Sequence, residues 1–138
     1  VVRMMGVPAA TIDSVAAREE RELARRQRAY RGDRPLPPLQ GKTVIIIDDG
    51  LATGSTMRAA AAALRRLGPA RIVVAVPVAA ADSCAQIGRE VDEVVCGGTP
   101  EPFLAVGRWY RDFSETTDEE VSELLEAARS PQAAREGR

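Results

Sequence analysis

The chain has 138 residues, the length of one small domain. Its composition, 45% hydrophobic and 28% charged, is that of a globular protein, and a net charge of -1 argues against a nucleic-acid module working through a large basic field. With no histidine at all, a Ser-His or Cys-His nucleophile pair, a His-ligated metal and a His general base are excluded. No apolar run approaches the ~18 residues of a membrane span.

In chain order, Val1 to Val7 is an apolar stretch without an initiator methionine. Pro8, followed by Thr11 or Asp13, predicts the start of a helix with a modest stripe of Ile12, Val15, Ala16 and Leu23. From Arg18 to Arg34 the chain is crowded with arginine and glutamate, and Glu22 stands four residues before Arg26, the favourable order for a helical ion pair. Gly32 ends this helix, and Pro35, Pro37 and Pro38 make an extended connector.

Thr43 to Ile47 is an unbroken β-branched run that predicts a strand buried on both faces. A turn of small residues, Gly50 to Gly54, leads into a helix capped by Ser55 or Thr56 and stopped by Gly68-Pro69. Arg71 to Pro77 reads as a second strand, Ala80 to Glu90 as a short helix and Val91 to Cys96 as a third strand. This alternation predicts an α/β fold with a parallel sheet flanked by helices. A loop follows from Gly97 to Arg108, then the aromatic cluster Trp109, Tyr110 and Phe113. Thr117 or Asp118 caps a last helix, and residues 131–138 read as a disordered tail after a single domain over 1–130. Cys84 and Cys96 form neither a C-x-x-C pair nor a framework, and read as two small buried hydrophobes in a reducing compartment.

The stretch from Val44 to Thr56, V-I-I-I-D-D-G-L-A-T-G-S-T, carries the chemistry. Asp48 and Asp49 sit at the carboxyl end of a strand, where ligands of open α/β sheets bind. Burying two carboxylates without partners is costly, which points to a ligand with hydroxyls or a cation. The hydroxyl-rich turn runs straight into a helix N-terminus, whose free N–H groups and dipole favour an anion, most often phosphate. The residues alone therefore predict a ligand with phosphate at one end and hydroxyls or a cation at the other. A Walker A loop does not fit, because Gly50 and Gly54 stand one residue too close and Ser55 occupies the lysine position. A G-x-G-x-x-G fingerprint is also absent.

The same stretch resembles the PRPP-binding signature of type I phosphoribosyltransferases: four apolar residues, two acidic ones, then a small hydroxyl-rich loop. The similarity extends over most of the chain, through residues 71–78, 91–96 and 106–113, to an uncharacterised bacterial branch of the family. The resemblance implies a Rossmann-like three-layer fold. It implies that Asp48 and Asp49 face the ribose hydroxyls of PRPP and favour an oxocarbenium-like transition state. Ala52, Thr53, Gly54, Ser55 and Thr56 then cradle the 5-phosphate. Magnesium arrives with PRPP, with no direct protein ligand, and a nitrogen nucleophile displaces pyrophosphate.

By the same resemblance, Phe103, Trp109 and Tyr110 lie where the family builds a hood over the acceptor base, and Arg31 or Arg34 lies where a loop closes over pyrophosphate. The aromatics equally read as packing for the last helix, and the arginines as a solvated helix face. A cytoplasmic nucleotide-salvage enzyme without nucleic-acid or membrane partners is implied, and homodimers are common in the family. Two departures stand out. Ala52 occupies the position where purine-salvage members place an aspartate general base, and nothing before Val44 supplies the family's first strand and pyrophosphate loop. With Val1 in place of a methionine, this predicts the C-terminal part of a longer domain. A PRPP- or nucleotide-sensing module and an inactive remnant are the alternatives to an enzyme.

Overall fold

Three β-branched segments become strands, and the short segments between them become helices. A computed structural model of the chain describes residues 8–128. The tail predicted at 131–138 and the apolar stretch 1–7 lie outside the described residues. Strands β1 (Thr43–Ile47), β2 (Arg71–Val78) and β3 (Glu93–Gly98) alternate with helices α2 (Ser55–Arg65) and α3 (Ala81–Ile87); α1 (Ala9–Arg31) precedes them and α4 (Asp118–Ala127) follows. The chain divides into two compact units, one built from Pro37–Ser114 and the other from the segments on either side.

The Pro37–Ser114 unit holds a parallel sheet in the order β1-β2-β3. Ile45 pairs with Val73, and Ala75 pairs with Val95. The fold class is therefore α/β with a parallel sheet, as the alternation predicts. One face of the sheet is the core: Val74 and Val76 pack with Leu51, Met57, Ala79 and Ile87, flanked by Ile46, Val94 and Cys96. Each of the larger buried side chains, Val74, Val76, Leu51, Met57 and Ile87, contributes about 1.5–3 kcal/mol on burial.

The other face is open. Ile45, Ile47 and Val95 are 60%, 76% and 48% exposed, so β1 is not buried on both faces as its composition predicts. Strand order advances in one direction, so crossovers of one hand put α2 and α3 on the same side. An apolar run carries no alternation to reveal this.

The element ends differ from expectation in instructive ways. The N–H groups of Thr11 and Ile12 both reach the Pro8 carbonyl, so α1 starts at Ala9 rather than at a Thr11 or Asp13 cap. At α2 the cap position is Gly54, in the left-handed region at φ 68°, and no side chain caps the helix. Thr117 caps α4 as expected, in a reciprocal capping box with Glu120.

The two cysteines do not behave as predicted. Cys84 of α3 and Cys96 of β3 are joined in a disulfide, because α3 doubles back over β3 and brings their Cα atoms to 6.6 Å. Sequence spacing gives no sign of this; a separation of 12 residues becomes a contact only once the helix folds onto the strand.

Asp92, just before β3, stitches the amino end of the sheet. Its carboxylate accepts the Ile72 N–H at 2.7 Å and pairs with Arg65 at 2.8 Å. The backbone N–H first, and Arg65 second, hold its pKa below the ordinary aspartate value. A depressed carboxylate pKa stabilises the fold above the unfolded-state value and loses that contribution as pH falls through the folded one. The urea midpoint is therefore expected to fall on acidification below about pH 4, and Asp92→Asn to flatten that part of the profile.

In the other unit, α1 and α4 meet through an ion pair and a hydrogen bond, both to Asp118. Asp118 accepts Arg25 at 2.5 Å and the Tyr30 hydroxyl. Glu22 accepts Arg25 and Arg26 at 2.8 Å, and these bonds lower its pKa to about 2. The Glu22–Arg26 pair is the one its spacing predicts.

Candidate functional site

The site begins where β1 runs out of apolar residues. Asp48 turns its carboxylate back onto the chain, accepting the Asp49 N–H at 2.8 Å. Neither aspartate is buried; both stand at the open carboxyl edge of the sheet, which removes the cost the sequence reading assigns to them. Asp49 still titrates above the ordinary aspartate value, through partial desolvation first and the adjoining Asp48 second. The Tyr110 hydroxyl donates to the Asp49 carbonyl at 2.7 Å, across 61 residues of sequence.

Leu51 then anchors the turn. Its side chain is only 2% exposed. Its N–H donates to the Val78 carbonyl at 3.0 Å and its carbonyl accepts from Ala80 at 2.9 Å, continuing the sheet past β1 in a parallel bridge with Ala79. Gly50 must be glycine on steric grounds. A Cβ there meets the Val106 methyls at 2.7 and 2.9 Å and the Val78 carbonyl at 2.9 Å. Gly50→Ala is expected to destabilise the protein by about 1–3 kcal/mol, the cost of overpacking a filled site, read as a drop in melting temperature.

Beyond Leu51 the chain rises over the sheet edge and enters α2. Asp48, Ala52, Thr53, Gly54, Ser55 and Thr56 line one cavity of about 180 Å³, with Val106 closing one side. The Thr53 and Ser55 hydroxyls lie 3.3 Å apart at its mouth. First-turn N–H groups of a helix have no partner further back in the chain, and no side chain caps this one. The cavity thus combines a carboxylate rim, three hydroxyl-bearing residues and a helix N-terminus, a setting suited to an anionic group with neighbouring hydroxyls. Asp49 is not among the lining residues. Among the described residues no three histidine, cysteine or acidic side chains gather as a metal cluster.

The aromatics predicted as a hood fall beside two further cavities. Trp109 and Tyr110 line one of about 550 Å³ at the carboxyl ends of β2 and β3, with Gly97, Gly98 and Thr99. Phe103 lines another of about 560 Å³, against Ala80 and Asp82. Tyr110 also stacks at a tilt on Phe113, 5.2 Å between ring centres, while Trp109 remains 47% exposed. Arg31 and Arg34 belong to the other unit, where Arg34 donates to the Arg31 and Tyr30 carbonyls. Sequence reasoning missed Leu51, Val106 and Ser83 as parts of the site. The first two look like ordinary apolar residues, and Ser83 lies 31 residues from its partner Ala52.

Comparison with known proteins gives three findings. The family model described as "Phosphoribosyl transferase domain" matches residues 1–96. Two Mycobacterium tuberculosis proteins, from strains CDC 1551 and H37Rv and each named "Putative phosphoribosyl transferase", are 42% identical over 128 residues. That alignment covers 93% of this chain but 29% of each relative. The crystal structure of TT1426 from Thermus thermophilus superposes with a TM-score of 0.71 at 38% identity, covering 90% of this chain and 59% of that one. The chain therefore spans less than a third of the length of the curated Mycobacterium relatives.

Proposed function

Because the chain belongs to the phosphoribosyl transferase domain family, we propose that the cavity from Asp48 to Thr56 binds PRPP and supports transfer of its 5-phosphoribosyl group to a nitrogen nucleophile. The observation that carries this reading is the one cavity shared by Asp48 and the turn entering α2. A carboxylate and a hydroxyl-rich helix start a few residues apart suit a sugar phosphate. The N–H groups and hydroxyls of Thr53, Ser55 and Thr56 hold the 5-phosphate. Asp48 and Asp49 accept from the ribose hydroxyls.

As the C1–pyrophosphate bond breaks, positive charge develops on the ribose ring. Two adjacent carboxylates favour that charge more than they favour the neutral ground state. The pKa of Asp49 is raised by partial desolvation first and by the adjoining Asp48 second, both of which penalise its negative charge while no cationic partner is present. Magnesium carried on PRPP would supply charge neutralisation at the leaving group, with no direct protein ligand.

The exposed face of Trp109, in its 550 Å³ cavity, offers a stacking surface for a planar acceptor. Phe103, in the adjoining cavity, offers a second. Tyr110 contributes less to stacking, because its hydroxyl is held by Asp49. No described helix is long and apolar enough to cross a membrane.

A second reading has one observation in its favour. Ala52 offers no side chain that could take a proton from an acceptor, which suits a module that binds PRPP without turnover. Calorimetry with Mg-PRPP, followed by a pyrophosphate-release assay across nitrogen acceptors, tests both. Saturable binding with release supports the transferase, and binding without release supports the sensor. Absence of binding, with a cooperative melt, overturns the assignment of the site.

A further inference from the structure

We infer that Ser83 of α3 is a positioning residue for the anion-binding turn, aiming its backbone N–H groups by holding the Ala52 carbonyl from below. The inference rests on the phosphate-binding role proposed for that turn and adds a residue outside it.

Ser83 is the buried polar side chain of the described residues, at 7% exposure. A buried hydroxyl is retained at a cost unless it is hydrogen-bonded. Its Oγ donates to the Ala52 carbonyl at 2.6 Å, across 31 residues of sequence. That carbonyl belongs to the same rigid unit as the Thr53 N–H. In a planar trans peptide the C=O and N–H point in opposite directions. Drawing the Ala52 oxygen down toward α3 therefore turns the Thr53 N–H away from α3 and toward the cavity that Thr53 lines.

One helical turn later, Ile87 supports Gly54, two residues further along the turn. Its side chain is fully buried, and its Cγ1 and Cδ1 come within 3.5 and 3.7 Å of where a Cβ on Gly54 would stand. Gly54 holds φ at 68°, the left-handed value that redirects the chain into α2. Residues 83 and 87 share one face of α3, so the helix presents a polar contact to Ala52 and an apolar one to Gly54, on either side of Thr53. Ile87 fills space and would do so beneath any turn. Ser83 specifies which way a peptide faces, and with it where the donors point.

The test compares Ser83→Ala, Ser83→Val and Ser83→Thr with the parent, by calorimetry with Mg-PRPP and with ribose 5-phosphate, alongside thermal melts. Valine and threonine have the same shape and differ in the hydroxyl, so the pair separates the hydrogen bond from packing. Loss of one buried hydrogen bond is worth about 1 kcal/mol. We expect Ala and Val to weaken both ligands about five- to tenfold and Thr to recover most of that loss, at temperatures where every variant is fully folded. Val and Thr binding alike, or Ala binding as tightly as the parent, overturns the inference and leaves the site assignment standing. A parent chain that binds neither ligand removes the site and this inference together.

Discussion

Asp49→Asn is expected to slow pyrophosphate release from PRPP about 100- to 1,000-fold, the scale of losing one electrostatic stabiliser of a transition state, while PRPP affinity changes much less. Asparagine keeps the size of the side chain and can still accept from a ribose hydroxyl. What it lacks is the negative charge, and that charge matters most when the ring becomes cationic. An interaction made chiefly in the transition state lowers kcat and kcat/KM together. The same substitution is expected to leave the fold at least as stable as before. Asp49 has its pKa raised by desolvation and by Asp48. A carboxylate of that kind costs the native state stability as pH rises through its folded pKa, and a neutral amide escapes the cost. A slower enzyme with an unchanged or higher melting temperature at pH 7 cannot be explained by unfolding. A proportional loss of binding and rate would instead place Asp49 in ground-state recognition alone.

How much of this was legible beforehand depends on how far apart the interacting residues lie. The site's outline was, because one contiguous segment supplies it: a β-branched strand, two acids, a small turn and a helix start all follow in Val44 to Thr56. The three parallel strands were legible for the same reason, since each contains a local run of apolar, mostly β-branched residues. The supports were not. Tyr110 meets the Asp49 carbonyl across 61 residues and Ser83 meets Ala52 across 31, and each bond is made to a carbonyl, which every residue carries. A motif records side chains, so a contact to the backbone leaves no trace in it. The open face of β1 was hidden for a different reason. Ile45, Ile46 and Ile47 are the same residue type whichever side they face, so only the placement of α2 and α3 distinguishes covered Ile46 from exposed Ile45 and Ile47.

Reduction of the Cys84–Cys96 disulfide is expected to lower stability by about 3 kcal/mol, the loop-closure entropy returned to the unfolded chain by opening a crosslink of this span, seen as a lower urea midpoint with dithiothreitol. Thiol titration of the denatured, unreduced protein is expected to find no free cysteine among the two. The folded geometry gives a reason for this effect to fall on stability more than on the site. The disulfide ties α3 to β3, but α3 is also held by Ile87 in the core and by Ser83 on the turn. Those contacts do not depend on the sulfur bond, so α3 keeps its seat while the native state persists. Reduction and Ser83→Ala are thus expected to separate. The first shifts the midpoint strongly and phosphate-ligand affinity little; the second shifts affinity at a modest cost in midpoint. In a reducing compartment the dithiol form is the working one, and its midpoint is the stability that counts there. If reduction weakened ribose 5-phosphate binding as much as Ser83→Ala does, the crosslink itself would be what seats α3 beneath the turn.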